Sequence, residues 1–512
     1  MNPELRKPDK LKKIKFRTGS PPKAAKYSPQ AVPCCCRKSI FSTQSKRKEI
    51  TLKNYIFNRK HPDYTANERS WRRSAEAYSG GKEYIEKALI RHVSEIDLEF
   101  AERRRRAYYF NYPRAIARRI TQYALSIDPV RQNADPELVE DWSRTGLRTN
   151  DVMRQLSTLL NVYGRGWLLV EMPLFSGTPT RLQAHEERLR PYARALSPLQ
   201  VTDWAYGEDG RLLWALVAEE VYHCEDPFSP PEKLRRRRLY DRNSWRLYEN
   251  SGEGVREIAS GVNPTGCVPL VSVCEPDGFG LTANHWFEDV VRISEAILNN
   301  ESEAQMNTVK QMFGMLVVSD SFARSAKKFA AEREKSDNFS ATVARSAAIV
   351  ESVEEKGISR YISPSGVATD TIRAENRYLK QELYDVVGLA VQGNTREGQS
   401  SESKAWDFQN VAQFLAARAD LLEQAELDAW KLMRRYDMDL CVPAIRYNRR
   451  FAVNDLASGI AGLLQLSGIP GGSAYQRAIG KTAVEMLSNI GNVTLEEKAN
   501  ILKDIYKEND DE

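Results

Sequence analysis

Hydrophobic side chains recur at helical spacing on both sides of a polar run, QGNTREGQSSES, at Gln392–Ser403. The apolar positions are Ile372, Leu379, Leu383, Val386 and Ala390 before the run, and Phe408, Val411, Leu415, Leu422, Ala429 and Leu432 after it. This pattern predicts two long helices, 367–391 and 401–436. At about 1.5 Å per residue, thirty residues of the second helix span roughly 45 Å. Such helices suit a shaft or a wall, and the polar run between them is a candidate contact point.

The first third of the chain also has helical periodicity. It runs from Trp71 to Phe110, with a turn predicted at Gly80–Gly81, and Pro113 then breaks the helix. Further helices are predicted at 151–162 and at Trp286–Met312.

Between these helices the period changes to that of strands. The predicted strands are Gly166–Met172, Val201–Tyr206, Arg211–His223, Leu234–Asp241, Trp245–Glu249, Val255–Ala259 and Val268–Val273. Polar turns between them indicate a meander that the last strand closes. One β-rich module of about 110 residues with helices on either side predicts an α+β fold.

The insert at 314–366 has mixed character. It contains two strand-like segments, Met315–Val318 and Ala347–Glu351, with a basic helical piece between them. The last part, 445–512, is expected to contain short helices joined at Gly468–Gly472.

Charge is distributed unevenly along the 512 residues. Residues 1–60 hold 17 Lys and Arg against 3 Asp and Glu, a net charge of +14, whereas the rest holds 58 against 66, a net charge of −8. Residues 1–50 are therefore expected to be a mobile basic tail, and the acidic body is expected to grip nucleic acid loosely if at all. No run of eighteen apolar residues exists, so no membrane span is predicted. Seven cysteines without a disulfide pattern favour a reduced, intracellular protein.

Candidate catalytic chemistry is sparse, and we predict no enzyme, no metal and no cofactor. There is no phosphate-binding G-x-x-x-x-G-K-[ST] loop, and the five histidines have no metal-site spacing. His223, Cys224, Cys267 and Cys274 lack a C-x-x-C pair, so packed thiols are the preferred interpretation over zinc.

Two arginine-rich runs allow more than one interpretation. The run Glu99–Arg106 is typical of a solvated helix face, because acidic residues four positions before arginines form ordinary helix pairs. Arg235–Arg238 either guards the edge of a sheet or faces an acidic surface of a neighbouring subunit.

Taken in order, these elements resemble the portal proteins of tailed bacteriophages over roughly residues 65 to 490. The local matches are A-E-R-R-x-R-A-Y-Y-x-N-Y-P at Ala101–Pro113, W-R-L-Y at Trp245–Tyr248, V-P-L-V at Val268–Val271 and Q-S-S-E-S-K-A-W-D-F at Gln399–Phe408. The resemblance implies a portal-like α+β fold with a β-rich wing, long stem and tunnel helices, a mixed clip insert and an α-helical C-terminal crown.

The resemblance divides the chain as follows: basic tail 1–50, wing 51–281, first stem helix 282–313, clip 314–366, second stem helix 367–391, tunnel loop 392–403, tunnel helix and return to the wing 404–444, and crown 445–512. It implies DNA contact by Gln392, Asn394, Arg396 and Lys404 at the tunnel loop. It also implies docking of a motor protein at the clip, where Arg324, Lys327 and Lys328 lie.

Portal proteins form dodecameric rings at a capsid vertex, so the expected partners are further copies of the chain, double-stranded DNA, the terminase large subunit, capsid or scaffold proteins, and head-completion or tail adaptor proteins. The expected location is the virion, with the host cytoplasm during assembly. Three alternatives stay open: a DNA-binding protein that uses its basic tail, an enzyme of unrecognised type, and another virion structural protein such as a minor capsid or scaffold component.

Overall fold

The structure is a computed structural model that describes residues 55–173, 180–224, 226, 228, 230–251, 254–275, 285–312, 315–319, 349–351, 360–362, 366–387, 401–449, 451, 463–490, 500, 501 and 503. The chain divides into two compact units, Met1–Tyr55 and Ile56–Glu512, and the account below concerns the second. Within the described residues, no helix is long and apolar enough to cross a membrane.

Helices dominate the N-terminal part. They are α1 (Pro62–Ser79), α2 (Lys82–Ala88), α3 (Asp97–Arg106), α4 (Tyr112–Ala124), α5 (Pro136–Glu140), α6 (Thr149–Tyr163) and α7 (Arg181–Glu186). The predicted break after α1 is confirmed at Gly80, which has a φ of 61° and lies so close to Asn111 that a Cβ would come within 2.9 Å of its amide nitrogen. Asn111 in turn caps α4 by accepting a hydrogen bond from the Arg114 backbone at 2.9 Å.

Five antiparallel strands form a meander in sequence order: β4 (Val201–Tyr206), β5 (Leu212–His223), β6 (Glu232–Asp241), β7 (Ser244–Ser251) and β8 (Gly254–Val262). Each of these strands was predicted to within a few residues. The polar turns between them allow each strand to pair with its neighbour in the chain.

The remaining strands of the module form a second sheet, and here the predicted single meander is wrong. Strand β2 (Arg165–Glu171) is the centre of a three-stranded antiparallel sheet, between β3 (Tyr192–Leu196) and β9 (Leu270–Cys274). All seven positions of β2 are buried. A continuous apolar run such as Trp167–Val170 is typical of a strand covered on both faces, and β9 pairs with this strand and not with β8.

The alternation of side chains along β2 explains its double burial. Trp167 and Leu169 pack in one core with Trp204 of the five-stranded sheet, whereas Leu168 and Val170 pack in another core with residues of α6 and of the long helix Ser401–Tyr436. The module therefore has three layers, with helices on one side, the three-stranded sheet in the middle and the five-stranded sheet on the other side.

The interpretation of Arg235–Arg238 as the guarded edge of a sheet is wrong, whereas a contact of these arginines with a neighbouring subunit stays a prediction. They lie on β6, the middle strand of five. Arg236 Nε lies 3.0 Å from Glu249 Oε2 on the adjacent strand, and Arg238 Nη1 lies 2.5 Å from Glu171 Oε1 of β2. The acidic partners of Arg236 and Arg238 in this structure therefore belong to the same chain, and both guanidinium groups are partly buried.

Three long helices follow: α8 (Trp286–Met312), α9 (Val367–Val386) and α10 (Ser401–Tyr436). The predicted bounds of α10 are confirmed. The predicted helix Trp286–Met312 matches α8, which lies within the stem segment 282–313. The described part of α9 ends at Val386, whereas the prediction extended to 391. The tunnel loop was predicted at 392–403, but its last three residues, Ser401–Ser403, belong to α10.

Short strands complete the fold. A small sheet of β10 (Met315–Ser319), β11 (Ile349–Glu351) and β12 (Arg360–Ile362) lies between α8 and α9 in the chain, and β1 (Val130–Gln132) pairs with β13 (Ala444–Arg446). Near the C-terminus, residues 463–467 and α11 (Ser473–Ile490) are helical, as the sequence predicts for this part. The fold is α+β.

Candidate functional site

Most of the residues predicted to act in DNA contact or docking lie outside the described part of the chain. This is the case for Arg324, Lys327 and Lys328 of the clip, and for Gln392, Asn394 and Arg396 of the tunnel loop. Lys404 lies in the first turn of α10, and so on a helix and not on a loop. The structure therefore describes the elements that carry these segments, and the candidate site is the helical assembly around α8, α9 and α10.

Helices α8 and α9 pack antiparallel, and the end of the pair near Val290 is apolar. Leu383 of α9 packs with Val290 and Ile297 of α8 in a core that also includes α4 and the first half of α10. The side chains of Leu383 and Val290 have no solvent exposure. Burial of several aliphatic side chains makes this end the firmly held base of the pair.

The other half of the pair is joined by polar contacts. Asn376 is buried in the seam, where it accepts a hydrogen bond from Asn300 Nδ2 at 3.0 Å and donates one to Glu301 Oε1 at 2.9 Å. One heptad earlier in α9, Thr369 accepts a hydrogen bond from Gln311 Nε2 at 3.4 Å. Amide and hydroxyl contacts fix which residues face each other, but each contributes only about 1 kcal/mol net.

The polar half of the pair leads into the small sheet. Helix α8 ends at Met312, three residues before β10, and α9 begins five residues after β12. In this sheet β10 is central, parallel to β11 and antiparallel to β12. The small sheet β10–β12 therefore lies in the chain between α8 and α9, as expected for an insert between two stem helices.

Helix α10 is anchored in the core by buried ion pairs. Arg131 Nε lies 2.5 Å from Glu426 Oε1, whose carboxylate also accepts a hydrogen bond from the Tyr447 hydroxyl at 2.5 Å. Burial, together with the negative charge of Glu426, raises the pKa of Tyr447 well above its ordinary value, so the hydroxyl stays a donor. This triad ties the β1–β13 pair to the middle of α10.

A second ion pair lies nearer the start of α10. Arg418, which is fully buried, pairs with Glu275, and Glu275 also lies 3.2 Å from His285 Nε2. Burial acts to raise the pKa of the Glu275 carboxyl, but hydrogen bonds and charges from His285 and Arg418 hold it below its ordinary value. Glu275 and His285 flank the segment 276–284. Arg418 of α10 pairs with Glu275, and Glu275 in turn contacts His285.

The sulfur and imidazole groups considered for zinc are separate features. Cys224 is exposed, Cys267 and Cys274 are partly buried, and these three cysteines are not joined by disulfides. Where the structure describes the chain, no cluster of three or more His, Cys, Asp or Glu side chains has the arrangement of a metal site.

Sequence reasoning missed Arg103 as a structural residue. Arg104, Arg105 and Arg106 are exposed, and Arg105 and Arg106 pair with Glu102, as the interpretation of a solvated face predicts. Arg103, in contrast, is only 2% exposed and donates hydrogen bonds to both oxygens of Glu95 at 2.9 and 2.7 Å. Its place in the helix period, on the same face as Phe100 and Ala107, is the signal that distinguishes it.

Neither a protein-family model nor a curated protein sequence matches the chain. Among solved structures, a chain of the neck of a native GTA particle, computed with C12 symmetry, is 8% identical with a TM-score of 0.40, over 72% of this chain and 89% of that chain. A chain of the neck of an empty GTA particle, computed with C6 symmetry, is 10% identical with a TM-score of 0.38, over 72% and 90%. A chain of the virion of the native gene transfer agent particle is 11% identical with a TM-score of 0.37, over 72% and 89%. At these TM-scores the similarities carry no weight for the fold or function of this chain.

Proposed function

We propose that this chain is a portal-type subunit: a non-enzymatic virion protein that forms a ring at the capsid vertex of a tailed-phage-like particle. In this proposal α8 and α9 are the stem, the insert 314–366 is the clip, and the layered sheets with their helices are the wing. The ring, with twelve copies by resemblance, surrounds the channel for DNA packaging and ejection. It also docks the terminase large subunit during assembly in the host cytoplasm, and head-completion or tail proteins later.

The observation that carries the proposal is the path of the chain through α8, the small sheet, α9 and α10. An antiparallel helix pair with a folded insert between its members, followed by a 36-residue helix that returns into the core of the sheet module, is the element order that the sequence motifs imply. The net charge of −8 after residue 60 also fits a tunnel in which a polyanion must slide without being held.

Particle size and shape test the proposal. The purified full chain is expected to give annular particles by negative-stain electron microscopy and a single high oligomer by native mass spectrometry. A protein that stays monomeric or dimeric under gentle conditions contradicts it.

A second candidate rests on the +14 charge of residues 1–60, which suits a sequence-independent DNA-binding protein. Such a protein would remain a monomer and would lose its salt-sensitive DNA affinity on removal of residues 1–50. A ring whose assembly survives that truncation favours the portal proposal instead.

A further inference from the structure

The connection between α2 and α3, together with the first two residues of α3, exposes aliphatic side chains and lies against a buried charge. Four aliphatic side chains point to solvent within nine residues: Ile90, Val93, Ile96 and Leu98 are 72%, 100%, 59% and 78% exposed. The charged side chain of Arg103 is buried behind them. Single exposed aliphatic residues are common on protein surfaces, but four in one short segment form a patch.

Buried and partly buried polar contacts hold this segment in one conformation. Arg103 binds the Glu95 carboxylate through two nitrogens and donates to the Ile90 carbonyl at 2.7 Å. The Ile90 backbone N–H donates to Asn299 Oδ1 of α8 at 2.8 Å. A loop fixed in this way presents its apolar side chains with little conformational entropy left to lose on binding.

Contacts within the segment add to this rigidity. The Arg91 guanidinium donates to the Glu95 carbonyl at 2.7 Å and pairs with Asp97 at 2.7 Å. Hydrogen bonding to Arg103 is the main cause that holds the pKa of the Glu95 carboxyl below its ordinary value, so the clamp is charged at neutral pH.

We propose that the segment Ile90–Leu98, named here the apolar loop, is a subunit contact that inserts against a different surface of the next copy of this chain in the ring. This inference rests on the proposed function. The charges at its rim, Arg91 and Asp97, balance each other, so the loop offers nothing to a polyanion and instead fits an apolar protein surface.

The size of the apolar loop favours a copy of the same chain over an independent partner. Stable two-protein interfaces bury about 800 Å² per partner, from about 20–30 residues on each side. A nine-residue loop is too small to hold a separate protein, but it is sufficient as one part of a repeated contact in which every subunit is held on two sides and the ring closes.

The test compares two valines of similar exposure. Val93→Asp places a carboxylate in the proposed contact. Val262→Asp is the matched control, because Val262 lies at the end of β8 and is 80% exposed.

Because Val93 is fully exposed in the monomer, the circular dichroism spectrum and the thermal midpoint of the monomeric chain are expected to stay unchanged. The concentration needed for half-assembly, measured by mass photometry, is expected to rise about tenfold or more for Val93→Asp, since an unpaired carboxylate is costly in an apolar contact. Val262→Asp is expected to assemble like the parent.

A photocrosslinking amino acid at position 93 supplies the second readout. In a ring it is expected to join subunits through a peptide that does not contain residue 93, because ring contacts are heterologous. Rings of Val93→Asp that form as readily as those of the parent, equal loss in Val262→Asp, or crosslinks only between residues 93 of two copies would overturn this inference and leave the portal proposal intact. A parent chain that never assembles overturns both.

Discussion

At the residue scale, the charges that matter most for this fold are the ones removed from water. Glu171 of β2 is 8% exposed at its side chain and lies within ion-pair distance of Arg238 and Arg194. It also accepts hydrogen bonds from Tyr240 and Tyr192. Burial, with the charge of Glu171, raises the pKa of Tyr192 to about 12, so this hydroxyl stays protonated across the physiological range. One carboxylate thus joins the three-stranded sheet to β6 of the five-stranded sheet.

Replacing Glu171 by alanine is expected to lower the free energy of unfolding by about 1–3 kcal/mol, because the buried Tyr240 hydroxyl loses its acceptor, while Arg238 and Arg194 keep only Glu219 as a counter-charge. Urea denaturation followed by tryptophan fluorescence measures this change. Glu220→Ala is the control: Glu220 pairs with Lys233 at 2.8 Å on the surface of the same sheet, so its loss is expected to cost about 1 kcal/mol or less. Equal effects of the two substitutions would show that the Glu171 cluster has no special role.

The sequence shows where the charged residues of the sheets lie along the chain, but it does not show which of them pair. Arg235–Arg238 stands out as four consecutive charges in a strand pattern, but the sequence does not say which neighbours flank that strand. Glu171 follows an unbroken apolar run, and its partners are 23 and 67 residues further along the chain. Such pairing depends on the order of strands in the sheets, which local patterns leave undetermined.

At the scale of elements, the length of a periodic pattern decides how well it predicts structure. Helix α10 was predicted with its observed bounds because its apolar positions recur over many turns. Strands β1 and β13, of three residues each, were not predicted, because they are defined by pairing across more than 300 residues and not by their own composition. Strand β3, of five residues, was also missed, although it pairs with β2 across only 21 to 29 residues.

The seam of α9 has a heptad pattern with an unusual composition. Thr369, Asn376 and Leu383 are its buried positions at seven-residue spacing, and only the last is apolar. A buried asparagine in a helical seam typically fixes register at some expense of stability. We therefore expect Asn376 to determine how far α9 extends along α8, and so where the small sheet is held.

Asn376→Leu is expected to leave the free energy of unfolding within about 1 kcal/mol of the parent value or to increase it, while the register of α8 and α9 becomes heterogeneous. The measurement is the distance distribution between spin labels at the exposed positions Glu303 and Arg373, after replacement of native cysteines. It should broaden or split. The control Leu383→Asn places an amide in the apolar base, and it is expected to destabilise by several kcal/mol. A single narrow distribution in Asn376→Leu would contradict the register role.

At the scale of the whole molecule, the chain combines a layered sheet module with three long helices, α8, α9 and α10, and the proposed ring requires both parts. The candidate site was predictable only as a set of segments: the sequence marks the insert and the polar run as interruptions between helices. It does not bring their residues together, because in the proposed ring the relevant neighbours belong to other copies.

The last prediction concerns the polar run between α9 and α10. The described part of α9 ends at Val386 and α10 begins at Ser401. The polar run that the sequence predicts as their connection is longer than the two to eight residues usual between packed helices. It contains Gly393 and Gly398 and no large apolar side chain from Gln392 to Ser400, and Arg396 is balanced by Glu397. In the proposed ring, copies of this run form a collar that contacts phosphates lightly and reversibly.

Deleting Thr395–Gln399 is expected to leave ring formation, seen by electron microscopy, unchanged, because α9 and α10 keep their packed residues. The same deletion is expected to reduce the yield of DNA-filled particles in a packaging assay. The matched control replaces these five residues by a Gly/Ser sequence of equal length, which separates the length of the run from its chemistry. Normal yields of filled particles from the deletion would identify the run as a simple connection between two helices.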